Sequence, residues 1–366
     1  MHHKKLIFFL ANFSRGGAGE AIKKLSIDLI RMNGFQCKII CLGSCAYKKE
    51  LTKNSIEVKE LDFISVFNAM PEIKKIVKSE VKLKKIIFIS NINYVNALSL
   101  LFLRSLDKLK IVLFERTPYE ELNFYFNSFS RYVKNKIIKF LIKLLYKKAD
   151  LVISNNKTTS KKLRSELKIN IYTIYSQSIK KIKKFHIKKF TKKLKIIWIG
   201  RFTDEKSFLT LVRAINKIQK INLQVNVLGD GKDKNKYLNI IEDLGLKKNF
   251  FFRGYVSNVD EYLSKSDLFI NTSVYEGFPN SVVQAINCSV PVIASKSCGG
   301  INEILKNGKF GTFYNVGNEI DLANKIMDFH RNNKKYINKA RLAHSSLKKY
   351  DFENLHNKFY KILKKI

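Results

Sequence analysis

The chain has 366 residues, 45% hydrophobic and 12% aromatic, with 69 Lys and Arg against 30 Asp and Glu and a formal net charge of +39 at pH 7. That length exceeds one ordinary core and suits two domains of about 150 to 180 residues each, while the apolar content excludes disorder as the state of the chain. No apolar run approaches the roughly 18 to 20 residues of a membrane-spanning helix.

The opening MHHKKLIFFLANFSRGG is positive and then apolar. Its apolar part is short and no small-residue cleavage site follows, so it reads as a first buried strand, Leu6–Asn12, with a cytoplasmic location as the expectation. Further strands are expected at Cys37–Leu42, Ile56–Leu61, Ile86–Ser90, Ile111–Phe114 and Leu151–Ser154, with helices between them such as Gly19–Met32 and Arg131–Lys148. The lysine-rich stretch SQSIKKIKKFHIKKFTKK has weak periodicity and fits a linker. After it, strands are expected at Lys195–Ile199, Gln224–Leu228, Phe250–Arg253, Leu268–Asn271 and Pro291–Ala294. Helices are expected at Phe208–Lys220, Asp233–Leu244, Val259–Lys265, Ser281–Ile286 and Ile320–Arg331. Near-continuous apolar strands alternating with helices mean parallel sheets covered on both faces. The fold class is therefore α/β, with two Rossmann-like doubly wound domains. Residues 1–178 form the first, 179–194 a linker, 195–345 the second, and 346–366 a helix returning toward the first. In such sheets a ligand cleft lies at the carboxyl ends of the strands.

Three stretches carry candidate chemistry. In WIGRFTDEKSF, Arg201 and Lys206 follow a strand and a glycine turn and precede a helix, an arrangement that suits phosphate. In FSRGGAGEAIKKL, Gly16 and Gly17 lie between the first strand and the first helix, where the backbone can approach a phosphate or sugar closely; an ordinary tight turn reads the same way. The GGxG spacing is not the dinucleotide fingerprint. In SVYEGFPNSVVQAINCSVPVIAS, Glu276 sits in a loop after a strand. The amides of Gly277 and Phe278 are expected to be free for a ligand, Pro279 suits the first helical turn, and Gln284 lies on the helix behind. A carboxylate and an amide at fixed spacing can read the vicinal hydroxyls of a sugar or ribose, although each alone also fits a solvated surface.

Five cysteines show no CxxC pattern; Cys37, Cys41 and Cys45 read as small buried hydrophobes on one strand face. There is no HExxH and no Asp-x-Asp. The charge favours anionic surfaces such as acidic lipid headgroups or phosphorylated substrates, although abundant Lys, Ile, Asn and Phe also fit codon bias. No nucleic-acid-binding module is present, so nucleic acid is not expected as a partner. The stretch Ser130–Lys148 is a basic amphipathic helix, packed on the sheet with its lysines solvated or lying on an anionic membrane surface.

In combination these stretches resemble retaining glycosyltransferase family 4 (glycosyl transferases group 1), on the GT-B fold of two Rossmann-like domains with an interdomain cleft. The resemblance rests on RGGAGE, IGRFTDEKSF, VLGDG, FFRGYVSN, SDLFINTSVYEGFPNSVVQAINCSVPVIAS, GGINEIL and GKFGTFYNVGN, in that order. It is dense along the second domain and thinner in the first. It implies that Arg201 and Lys206 neutralise a nucleotide diphosphate, that Glu276 contacts the donor sugar, and that Gln284 stands where the second glutamate of the E-x7-E pattern usually holds ribose. Gly16 and Gly17 would close over the diphosphate, Tyr255 and Val256 would lie near the base, and Glu115 and Arg116 would face the acceptor side. The implied activity is retaining, metal-independent hexosyl transfer from a nucleotide sugar, a UDP-sugar above all. The acceptor would be a surface-glycan precursor: lipooligosaccharide, capsule or lipid-linked oligosaccharide. No cofactor is expected beyond the nucleotide sugar itself. The enzyme would be peripheral on the cytosolic face of the inner membrane. Two alternatives stay open at this point: a nucleotide-sugar 2-epimerase on a related fold, and a non-catalytic nucleotide-sugar-binding partner, which the glutamine at 284 keeps in play.

Overall fold

The computed structural model describes residues 4–32, 34–126, 128–188, 190–350 and 354–366. The chain divides into two compact units, Met1–Gln177 with Glu353–Ile366, and Ser178–Phe352.

The first unit is built on seven strands: β1 Lys4–Leu10, β2 Phe35–Leu42, β3 Glu57–Leu61, β4 Ile86–Asn91, β5 Leu109–Glu115, β6 Leu151–Ser154 and β7 Tyr172–Thr173. They pair in the order β3-β2-β1-β4-β5-β6-β7, and the ladders are parallel. β1 and β4 are buried on both faces, as central parallel strands under helices must be. The order reverses between β1 and β4, which is where a doubly wound sheet opens a crevice at its carboxyl edge. The last helix, Leu355–Lys364, packs on this unit: Phe359 meets Phe114 at 5.6 Å and Tyr360 meets Phe35 at 5.5 Å between ring centroids.

The second unit contains β8 Leu194–Ile199, β9 Leu223–Leu228, β10 Phe250–Gly254, β11 Leu268–Asn271, β12 Tyr275–Glu276, β13 Val292–Ser295, β14 Cys298–Gly299 and β15 Thr312–Tyr314. Its main sheet runs β10-β9-β8-β11-β13-β15, again parallel, with its reversal between β8 and β11. Trp198, Phe202, Phe208 and Tyr237 interlock with ring centroids 4.7 to 5.7 Å apart. They bind the loop after β8 to the core beneath it.

The expected strands are present, two with the expected bounds and the others with ends shifted by one or two residues. β7, β12, β14 and β15 have only two or three residues each and carry no readable apolar run. The segment 179–194 is not a free linker. It lies in the second unit, where Lys183 N donates to Asn287 Oδ1 at 3.0 Å, His186 N to Ser289 Oγ at 3.0 Å, and Lys188 Nζ to the carbonyls of Leu263 and Ser266 at 2.8 Å. Its weak periodicity fits chain whose amides at Lys183 and His186 are satisfied by another element's side chains rather than by a ladder of its own. Among the described residues no helix is long and apolar enough to cross a membrane.

Candidate active site

The second unit's site grows from the reversal of strand order. β8 ends at Ile199 and β11 at Asn271, and the two are neighbours in the sheet. The loops that follow them are therefore held side by side. Trp198 Nε1 donates to Thr272 Oγ1 at 2.9 Å, and Thr272 Oγ1 in turn donates to the carbonyl of Lys206 at 2.6 Å. Val274 N donates to the carbonyl of Glu205 at 2.8 Å. Three hydrogen bonds thus carry the order of the core tryptophan out to the Lys206 loop.

Glu276 sits at the centre. The sequence reading placed it in an open loop. It lies instead in β12, paired in parallel with β14 (Glu276 opposite Gly299), and it is buried. A two-residue strand has no period to detect. Glu276 Oε1 accepts from Lys206 Nζ at 2.6 Å, Ser273 Oγ at 2.7 Å and Asn271 Nδ2 at 3.3 Å. A buried carboxylate so held is fixed in orientation and paired with a partly exposed lysine that can turn to an anion. Asn271 and Ser273 were missed by the sequence reading. The signal was available: polar residues at the carboxyl end of a buried strand in the N-x-S-x-x-E spacing.

Arg201 stands apart from this cluster. Its side chain is 62% exposed and its Nη2 lies 3.4 Å from Glu205 Oε1, a loose solvent-facing pair. Such a pair is worth little and leaves the guanidinium able to exchange partners. Gln284 lies on the helix Asn280–Asn287, half-buried, and among the described residues its side chain makes no hydrogen bond. The expectation for Gly277 and Phe278 concerned their amides; what the structure gives is the carbonyl of one and the ring of the other. Neither is without a partner; Gly277 O accepts from Gly300 N at 2.9 Å, and Phe278 is buried against the ring of Tyr350. Pairing of β12 with β14 draws this loop inward. Tyr255 is exposed and Val256 half-buried, just beyond Gly254.

In the first unit, Gly16 has φ 137° and precedes the helix Gly17–Arg31; its N–H donates to Tyr47 Oη at 3.2 Å. Arg116 Nη1 donates to the carbonyl of Ala18 at 3.0 Å, so the structure brings Arg116 to the glycine loop. Burial pulls its guanidinium down to about 10. Glu115 is turned the other way. It is buried, accepts from Asn96 Nδ2 at 2.7 Å and from Tyr146 Oη, and burial raises its carboxyl to about 7. The sequence reading put Glu115 beside the acceptor. Its side chain belongs to the interior of the first unit, because it alternates inward at the end of β5.

That burial has a measurable consequence. A carboxyl raised in the folded state binds more protons there than when unfolded, so stability falls as pH rises from about 4.5 to about 7. Glu115→Gln is expected to flatten this loss and to be more stable than the parent by roughly 1–3 kcal/mol at about pH 8. Thermal melts across that range check it; parallel pH profiles for the two proteins would contradict it.

Residues 179–343 match the family model of glycosyl transferases group 1. The matched region contains the whole cluster around Glu276. A Campylobacter jejuni relative, N-acetylgalactosamine-N,N'-diacetylbacillosaminyl-diphospho-undecaprenol 4-alpha-N-acetylgalactosaminyltransferase, is 29% identical over 227 residues, 57% of this chain and 60% of that protein. The capsular polysaccharide biosynthesis glycosyltransferase CapH of Staphylococcus aureus is 30% identical over 194 residues, 49% of this chain and 52% of that protein. The chain thus spans half to three fifths of the length of these curated relatives. Among solved structures, Anabaena Alr3699/HepE in complex with UDP and glucose is similar with a TM-score of 0.77 at 17% identity, over 100% of both chains. That likeness, with the two parallel sheets, establishes the GT-B fold. The Lys206–Glu276 pair lies within the region that matches group 1 glycosyl transferases, on a GT-B scaffold.

Proposed function

We propose that the chain is a retaining glycosyltransferase that moves a sugar from a UDP-sugar to a surface-glycan precursor at the cytosolic face of a membrane. One observation carries the reading: Lys206 and Glu276 meet at 2.6 Å at the strand-order reversal of the unit that matches group 1 glycosyl transferases. Lys206 and Arg201 supply positive charge for a departing nucleotide diphosphate, so no metal is required for that task. Glu276 accepts from hydroxyls of the donor sugar, with Ser273 and Asn271 holding it in place. No residue is assigned as a covalent nucleophile; a front-face route, in which the leaving phosphate helps take the acceptor proton, suits this residue set better than a pair of carboxylates. A UDP-bound structural neighbour and relatives named for undecaprenol-linked and capsular glycans support the donor and acceptor classes.

Gln284 takes the ribose-facing position without a charge. In a strongly positive protein that change weakens binding modestly, because the amide still donates and accepts. Gln284→Glu is expected to leave donor affinity within about tenfold of the parent, measured by calorimetry. Complete loss would show that the pocket around the helix Asn280–Asn287 is not built as in the family that the sequence resembles.

The deciding experiment is a thermal-shift panel of UDP, GDP, ADP and CMP with and without Mg²⁺, followed by turnover of matching nucleotide sugars. Stabilisation by UDP, indifferent to the metal, is the expected result. Binding without turnover toward any acceptor would favour the non-catalytic reading. Conversion of a nucleotide sugar with no acceptor present would favour an epimerase.

A further inference from the structure

The helix Phe129–Leu145 has two apolar faces. One is the inward stripe of Ile138, Ile142 and Leu145, buried in the core of the first unit. The other faces outward: Phe129 is 80% exposed, Ile137 53%, Phe140 65% and Leu144 54%, with Val133 between them. Spacings of four, four, three and four residues place these five side chains on one stripe of a helix. A surface helix has no folding reason to carry a second such stripe, and a contiguous exposed apolar patch marks a binding surface.

The charges around it choose the occupant. Between Glu121 and Asp150 the chain has seven basic and no acidic residues. Asp150 is already held by Arg104 and Lys110 at 3.0 and 2.9 Å. Lys136, Lys139 and Lys143 line one border of the apolar stripe at helical spacing, and Lys134 the other. Lys139 is held below the ordinary lysine range by desolvation and by Lys136 and Lys143 beside it. Tyr132, exposed and stacked with Phe129 at 6.4 Å, adds an amphipathic ring at the same end. Apolar side chains bordered by long cationic ones that can reach around them suit an acyl–headgroup boundary. A protein partner of ordinary composition would have to bury the lysines too.

We propose that the outward face of this helix docks the first unit on an anionic lipid surface, with Phe129, Val133, Ile137, Phe140 and Leu144 entering the headgroup layer and Lys136, Lys139 and Lys143 meeting acidic headgroups. This rests on the membrane-side acceptor reading above for its purpose, not for its geometry.

The test is co-sedimentation of the full chain with vesicles of phosphatidylcholine alone or of equimolar phosphatidylcholine and phosphatidylglycerol. Binding to the mixed vesicles at least about tenfold tighter than to phosphatidylcholine is expected. The double variant Ile137→Ser with Phe140→Ser, and separately Lys136→Glu with Lys143→Glu, are each expected to lose about tenfold or more. All four side chains are exposed, so unchanged melting curves are expected and keep the comparison valid. No binding by the parent, or equal binding by both variants, overturns the proposal. So does a dimer in sedimentation velocity that Phe140→Ser dissolves, since the face would then belong to a second copy. Vesicle binding needs no donor. Its failure with UDP binding intact refutes this surface alone, and the reverse refutes the transferase reading alone.

Discussion

Lys206→Ala is expected to cut turnover by about 100-fold or more, as loss of a pre-organised cation at a departing phosphate does, and Glu276→Ala by a similar factor, because it removes the carboxylate that holds both the donor sugar and Lys206 in place. The two side chains form one unit. Glu276 Oε1 gathers Lys206, Ser273 and Asn271, and removing either ion leaves the other without its counter-charge. The effects are therefore expected to be far from additive, and the double variant should be little worse than either single one. Glu276→Gln separates charge from shape. It keeps an acceptor for Ser273 and Asn271 and loses the attraction to Lys206, so a large loss of kcat in this variant, with melting temperature near the parent, assigns the effect to chemistry. Steady-state kinetics with the donor found by thermal shift provide the check. Near-parental rates in both alanine variants would remove the cluster from the active site.

Gly229→Ala is expected to destabilise the second unit by about 2–5 kcal/mol, combining backbone strain with a steric conflict that cannot relax by a rotamer change. Gly229 follows β9 with φ 130°, and a Cβ built there would stand 1.9 Å from the carbonyl oxygen of Gly200. The N–H of Gly229 donates to the carbonyl of Gly254 at 2.7 Å, so three strand ends meet at this point. Any shift that relieves the contact displaces the loop that carries Arg201 and Lys206, and donor affinity should fall with stability. Gly245→Ala is the control. Gly245 also has positive φ, 67°, but nothing lies within 4 Å of its added Cβ. It should cost only about 1 kcal/mol. Urea midpoints compare the two; equal losses would mean that the close approach at Gly200 is not rigid.

Much of this molecule was readable because its central elements carry strong local patterns. Leu151–Ser154 and Leu268–Asn271 are short runs of apolar and β-branched residues ending at polar ones, and they form strands with those bounds. The alternation of such runs with helices implied parallel sheets, and the order of glycine, cation and carboxylate motifs pointed to the second unit as the nucleotide-sugar candidate. Of the cluster, Lys206 and Glu276 were named from the sequence, whereas Asn271 and Ser273, which hold Glu276, were not.

What spacing did not decide is which way each side chain turns and what it meets. Glu115 and Arg116 are neighbours in the chain, yet one enters the core against Tyr146 and Asn96 while the other reaches Ala18. Glu276 became a buried, three-partner carboxylate through the pairing of two-residue strands 23 positions apart, which no local period encodes. The helix Phe129–Leu145 announced its lysines and its apolar residues, but only packing decided that Ile138, Ile142 and Leu145 would be spent on the core and the other stripe left to solvent. Periodicity and residue type were enough for the longer strands and helices, for the parallel sheets and for Lys206 and Glu276; the two- and three-residue strands carried no such signal, and the partners Asn271 and Ser273 were missed. The tertiary structure decided burial, pairing and facing, because these depend on contacts between residues far apart in the chain.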